Sequence, residues 1–271
     1  MVMDNQMMEQ RKQENLQMIS GLRLLDDDLM KLVFDRNIEA TELLLNIILQ
    51  RNDLQVLEVV AQREYKNSMA GGRSIIIDIY AKDSTGKVYD IELQRASQGA
   101  GAQRARFHSC MIDSKMLKER QNFKEICDSY VIFITENDVI GAGLSLYHID
   151  RVIKETGADF NDGAHIIYVN GSYKNDEDPV GKLMHDFRCT SAVDMYYPLL
   201  AKQVRFFKET EGGLEIMCRA FEELAEKRAD ERAIEIAKKM LEDGSISVEK
   251  VAMFSNLPLE TVEKLANLQP A

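Results

Sequence analysis

Residues 73–94 read Arg73-Ser74-Ile75-Ile76-Ile77-Asp78-Ile79-Tyr80-Ala81-Lys82-Asp83-Ser84-Thr85-Gly86-Lys87-Val88-Tyr89-Asp90-Ile91-Glu92-Leu93-Gln94. Two runs rich in β-branched and aromatic residues flank Asp83-Ser84-Thr85-Gly86, a cluster of turn formers, so an antiparallel hairpin is expected. With the turn centred near Thr85, Asp78 falls opposite Glu92, because their numbers are symmetric about that residue. Opposed residues in such a pair hold their Cβ atoms about 5 Å apart, close enough for two carboxylates to share one cation. Side chains alternate along a strand, so Gln94 shares the face of Asp78 and Glu92, while Ile77, Ile79, Ile91 and Leu93 fill the other. Paired acids on an otherwise apolar hairpin cost free energy unless a metal or a partner compensates them. That cost marks the stretch as a functional candidate.

The rest of the composition bounds what such a site could serve. A chain of 271 residues can bury a sizeable core in one large domain, or in one domain with an appendage. Its 45% hydrophobic and 29% charged residues are ordinary for a globular protein. A formal net charge of -11 speaks against coating nucleic acid by bulk electrostatics. It leaves room for a local basic patch and for an acidic site that binds a divalent cation. Four separated cysteines, Cys110, Cys127, Cys189 and Cys218, show no zinc-type spacing, and no signal peptide precedes them. Free thiols in a reducing cytoplasm are the expectation. No apolar run approaches the roughly 20 residues of a membrane helix, so no membrane partner is expected.

Around the hairpin the chain alternates helical and strand patterns. Residues 1–20 are polar and Met-rich and read as a frayed or weakly helical arm. Leu25, Leu29, Leu32 and Val33 recur at helical spacing behind Asp26-Asp27-Asp28, acids that suit a helix N-terminus whether or not they do chemistry. A second helix is expected from Glu39 to about Arg51 and a strand over Leu54–Tyr65, with Met69-Ala70-Gly71-Gly72 turning into the hairpin. The small residues Ala96 to Ala102 form a connector, and a helix is expected over Gln103–Arg120. Arg104 and Arg106 at its start oppose the helix dipole, a placement that a docking polyanion would explain. Ser129–Thr135 and Ala164–Val169 are continuous apolar runs expected as strands buried on both faces, and Leu146–Ile149 as a short strand. Helices are expected over Val180–Arg188 and Ala192–Lys208. This order of elements predicts an α/β fold, a mixed sheet with helices on both sides. Beyond Glu211-Gly212-Gly213 the composition shifts to Glu, Lys, Arg and Ala, giving a long helix over Leu214–Asp243 and two short ones around Asn256-Leu257-Pro258. The last pair has a helix-turn-helix outline but few Arg or Lys where a recognition helix would need them. His108, His148, His165 and His185 are scattered without metal-ligand spacing; His108 stands out because it shares a helix with Arg104.

Several of these stretches together resemble a family. Asp27 with Met30, Lys31 and Phe34 is similar to a D-x-x-F-K-x-x-F signature with Met in place of the first Phe. Arg73-x4-Asp78, Glu92-Leu93-Gln94 and Arg104-Ala105-Arg106-Phe107-His108 resemble its R-x-x-x-x-D strand, its E-x-Q strand and its R-x-R-aromatic helix. The likeness continues through Tyr130–Thr135, His165–Asn170 and Leu183–Asp186, spanning residues 24 to about 208. The chain thus resembles the PD-(D/E)XK nuclease family transposases, relatives of the recombination-promoting nucleases. The resemblance implies a restriction-endonuclease-like mixed β-sheet core flanked by helices, followed by a helical C-terminal tail. Together with the composition, it divides the chain into an arm (1–20), a nuclease-like domain (21–210) and a helical C-terminal region (211–271). It also implies Mg²⁺-dependent hydrolysis of DNA, with Mn²⁺ as a substitute, and a link to recombination or mobile elements. Asp78 and Glu92 would be metal ligands, joined by the Leu93 backbone carbonyl, since Mg²⁺ prefers oxygen donors and keeps several waters. Asp27 is a candidate third carboxylate, and Arg73, Arg104 and Arg106 are candidate DNA-binding residues. DNA is the expected partner, with a homodimer left open.

Gln94 departs from the superfamily, whose usual residue there is Lys. A glutamine amide can orient a water but brings no positive charge and cannot shuttle a proton. Arg104 or Arg106 would have to supply the missing charge. Two expectations follow: an active endonuclease with Asp78, Glu92, Gln94 and Asp27 as catalytic candidates, or a catalytically weak or inactive nuclease-like domain that binds DNA or a partner protein.

Overall fold

The computed structural model of the chain describes residues 2–69 and 71–267. Ala70, in the expected Met69–Gly72 turn, lies outside the described residues, as do Met1 and residues 268–271. The chain divides into two compact units, one ending at Leu214 and one beginning at Glu215.

The first unit opens with helix α1 (Val2–Gly21), where a frayed or weakly helical arm was expected. Helices α2 (Asp27–Phe34) and α3 (Ile38–Ile48) follow. The α3 helix stops short of the expected Arg51 because Gln50 takes a left-handed conformation (φ 52°). Strands β1 (Val56–Tyr65), β2 (Ile75–Asp83) and β3 (Val88–Gln94) form an antiparallel meander. After a 3₁₀ turn at Ser97–Ala100 comes α4 (Ala102–Met116). It ends four residues before the expected Arg120, since Leu117 is already extended (φ -102°, ψ 141°). Strands β4 (Ser129–Thr135), β5 (Leu146–Ile149) and β6 (Ala164–Asn170) complete one six-stranded sheet in the order β1-β2-β3-β4-β6-β5. Strands β3, β4 and β6 are mutually parallel and β5 is an antiparallel edge, so the sheet is mixed as expected. Helix α5 (Pro179–Arg188) is followed by α6 (Pro198–Glu209). The single helix expected over Ala192–Lys208 is in fact a 3₁₀ turn (Ala192–Asp194) and α6, because Pro198 lacks the amide a continuing helix needs and disfavours helical geometry at Tyr197.

Burial explains where the acids end up. Every residue from Val88 to Leu93 is buried, because β3 is paired on both edges and covered by helices. Helix α4 covers the face that carries Phe133 and Tyr168, packing Ala105 and Ile112 into the same cluster. Helices α2 and α3 pack on β1 and β2, and Phe34 of α2 meets Phe187 of α5 at 6.2 Å between ring centroids. The N-terminus of α2 is tied to the sheet by four charges. Asp26 pairs with Arg23 (3.4 Å) and Arg95 (2.8 Å), and Glu136 pairs with the same two arginines (2.9 and 3.2 Å).

Helix α7 (Glu211–Asp243) leads into the second unit and ends at Gly244, which is left-handed (φ 68°). Helices α8 (Val248–Ser255) and α9 (Leu259–Asn267) close a small core of Ala237, Val251, Ala252 and Val262. Asn256 at φ 57° ends α8, two residues before Pro258.

Candidate active site

The β2–β3 ladder runs from Lys82↔Val88 to Ile79↔Ile91, the register that a turn centred at Thr85 dictates. It stops one step before Asp78 and Glu92, and side chains take over from the backbone. The Asp78 N–H donates to Glu92 Oε1 (3.1 Å), and the Leu93 N–H donates to Asp78 Oδ2 (3.2 Å). Each carboxylate thus accepts an amide freed by the parting of the strands, which fixes both acids at the mouth of the opening. Strand β1 adds Gln62, whose Nε2 donates to Asp78 Oδ1 (3.0 Å). Gln62 is left-handed (φ 55°) inside a strand, a conformation that costs an L-residue free energy and that clusters at functional sites.

Helix α4 closes the site from above. Arg104 Nη2 donates to Glu92 Oε2 at 2.6 Å, its Nε to His108 Nε2 (3.4 Å) and its Nη1 to the Gly99 carbonyl (3.3 Å). This ion pair, rather than solvent alone, offsets the cost of a cation near a helix N-terminus. His108 Nδ1 lies 2.8 Å from Asp90 Oδ2 and 3.9 Å from Glu92 Oε1. Asp90, Glu92 and His108 are all buried, while the Arg104 side chain remains 39% exposed. Beside them lies a cleft of about 530 Å³ lined by Arg73, Ile76, Gln103, Arg104, Phe107 and His108, among others.

The electrostatics follow from that burial. Desolvation pushes Asp78 above its ordinary value, against the pull of the Leu93 amide. It pushes Asp90 up to about 8 and Glu92 up to about 9, and for Glu92 the charges of Asp90 and Asp78 act in the same direction. His108 is held below its ordinary value, again chiefly by burial. Three carboxylates face one guanidinium here, and Asp90 Oδ1 is buried with no hydrogen-bond partner among the described residues. A surplus of buried carboxylate oxygens is the donor chemistry of a hard divalent cation. Asp90, Glu92 and His108 can each offer one ligand atom, all within 4.8 Å of one another. Both His108 nitrogens are already engaged, by Asp90 and by Arg104, so carboxylate oxygens such as those of Asp78 and Glu92 fit a hard divalent cation better than the imidazole does.

Not every residue singled out from the sequence reaches this centre. Arg106 sits on the exposed face of α4, roughly opposite Arg104, because two helical residues apart cannot share a face. Asp27 is the first residue of α2 and lies 3.7 Å from Lys31, with its side chain 52% exposed. Its charge raises Asp78 and that of Lys31 lowers it, but among the described residues the Asp27 carboxylate pairs with Lys31 and not with Asp78 or Glu92. The position before the helix belongs to Asp26, whose carboxylate takes the Arg23 N–H rather than a helical amide. Arg73 is exposed and borders the cleft. Gln94 is half-buried, and its Oε1 packs on Gly99, where a Cβ would overlap it. Leu93 contributes its amide to Asp78.

Asp90, His108 and Gln62 are the members that sequence reasoning undervalued. Asp90 lies two residues before Glu92 and His108 four after Arg104, so strand alternation and helical periodicity put each beside a residue already chosen. Gln62 carries no such signal, since its place depends on β1 pairing with β2.

The comparisons with known proteins bear on the same region. The family model of the PD-(D/E)XK nuclease family transposases matches residues 25–178, more than half of the chain, from just before α2 through β6. No curated protein and no solved structure gives a significant match. With its mixed sheet, flanking helices and acids at the parting of β2 and β3, this chain belongs to the PD-(D/E)XK nuclease family transposases.

Proposed function

We propose that the protein is a Mg²⁺-dependent DNA endonuclease, able to use Mn²⁺, that hydrolyses phosphodiester bonds in recombination or mobile-element biology. The observation that carries this reading is the pairing of Asp78 and Glu92 where the β2–β3 ladder opens, each held by an amide of the other's segment. In this reading residues 21–210 form the nuclease domain, 1–20 an arm and 211–271 a helical appendage, acting on DNA in the cytoplasm. Among the described residues no helix is long and apolar enough to cross a membrane.

The roles divide as follows. Asp78 and Glu92, with the Leu93 carbonyl, hold the cation. When bound, that cation supplies a water of lowered pKa and offsets charge on the scissile phosphate. Gln94, seated on Gly99, orients the attacking water through its amide. Arg104, its side chain 39% exposed above the buried Glu92, provides the positive charge that Gln94 lacks, and Arg73 meets the DNA backbone across the cleft. Asp27 tunes Asp78 through space rather than binding.

Nicking of supercoiled plasmid tests this directly: cleavage in Mg²⁺ or Mn²⁺, lost in Asp78→Ala and Glu92→Ala with thermal unfolding intact. One observation favours a second reading, a weak or inactive domain that binds DNA or a partner protein. Arg104 already satisfies Glu92 at 2.6 Å, as a permanent counter-ion would. In that case Asp78→Ala would leave DNA binding intact and no cation would elicit nicking.

A further inference from the structure

Strand alternation sets Asp90 beside Glu92, and helical periodicity sets His108 beside Arg104, so two pairs meet across the interface between β3 and α4. Their donors and acceptors fit together in one way. A guanidinium has five N–H donors and no acceptor, so the contact of Arg104 Nε with His108 Nε2 (3.4 Å) requires a bare Nε2. The ring proton then lies on Nδ1, where Asp90 Oδ2 accepts it at 2.8 Å. We propose that Asp90 and His108 are positioning residues: Asp90 fixes the His108 tautomer, His108 fixes Arg104, and Arg104 so seated holds Glu92.

Packing supports the arrangement. Phe133 lies against both partners, its ring centroid 6.2 Å from that of His108 and 5.9 Å from the Arg104 guanidinium carbon. Asp90 is fully buried with its Oδ1 unpartnered among the described residues, a cost that an apolar residue there would not incur. The tautomer with the proton on Nδ1 is the minor one for a free imidazole, so finding it in the folded chain reports the Asp90 bond itself.

The activity arm of this inference rests on the endonuclease reading; the spectroscopic arm does not. Long-range ¹H–¹⁵N spectra of the full-length, cation-free protein resolve four histidines, and loss of a signal in His108→Gln assigns His108. The expected result is a protonated Nδ1 with a bare Nε2, shifting toward protonated Nε2 in Asp90→Ala and retained in Asp90→Asn, whose amide oxygen can still accept. A wild-type His108 protonated on Nε2 overturns the proposal whatever the nicking assay shows. For activity, loss of a partner one step behind a site residue is expected to cost about 10–100-fold. His108→Leu should therefore nick at least about tenfold more slowly while still unfolding cooperatively, at a lowered temperature because Asp90 loses its partner. His108→Gln, which can accept from Arg104 and donate to Asp90, should largely rescue the rate. A His108→Leu enzyme as fast as wild type overturns the positioning role. The expected tautomer in a protein that never nicks upholds the network and sinks the endonuclease reading instead.

Discussion

Glu92 shows how much one side chain is asked to do. Burial and the charges of Asp90 and Asp78 push its carboxyl from the ordinary 4.5 up to about 9 in the cation-free fold. Between those values the unfolded chain has released a proton that the folded chain keeps, so stability falls as pH rises through that window and levels off above it. Urea unfolding in EDTA at pH 6 and pH 8.5 should show this loss, and Glu92→Gln should reduce it, leaving the share of Asp90, whose carboxyl burial pushes up to about 8; an unchanged slope in the variant would place the titration elsewhere. Gly99 is a second test at this scale. A methyl there overlaps Gln94 Oε1, so Gly99→Ala should displace the amide and slow nicking about tenfold or more with little change in unfolding temperature. Activity equal to wild type would remove Gln94 from the chemistry. The opposition of Asp78 and Glu92 was legible because a turn of known centre fixes every pair in a hairpin. What the sequence did not disclose is that the ladder parts at this pair, because that depends on Gln62 and Arg104, contributed by β1 and α4.

Elements were most legible where one periodicity ran unbroken. Strand β4 occupies Ser129–Thr135 as its apolar run demands, because it is sandwiched between β3 and β6 and needs no polar face. Boundaries failed where a single residue overrode the pattern: Pro198 splits the helix expected from Ala192, and Gln50 ends α3 early. Arg106 shows a related effect, since R-x-R reads as a pair in sequence but places its arginines on different sides of a helix. Helix α3 offers a check on local energetics. The Asn37 side chain accepts from the Ala40 N–H (3.1 Å) at its N-terminus, so Asn37→Ala should cost about 1 kcal/mol in chemical denaturation. A change near zero would mean that packing of Leu44, Leu45 and Ile48 alone sets the helix boundary.

At the scale of the whole molecule, the net charge of -11 and the catalytic proposal conflict only if DNA binding must be electrostatic throughout. The site needs few phosphate contacts: Arg73 and Arg104 border the cleft, and Lys31 lies near Asp78. DNA binding should therefore weaken gently with salt, with a log–log slope of about -2 to -3 for two or three neutralised phosphates. A slope several times steeper would reveal a larger basic surface elsewhere on the chain. The central claim is that Asp78 and Glu92 form one cation-dependent centre for phosphodiester hydrolysis. It is tested most directly by plasmid nicking with purified full-length protein across a Mg²⁺ and Mn²⁺ titration, comparing wild type with a folded Asp78→Ala variant. Cation-dependent nicking by the wild type, lost in the variant, is the predicted result. Wild-type protein that binds DNA but leaves the plasmid intact at every cation concentration would contradict it.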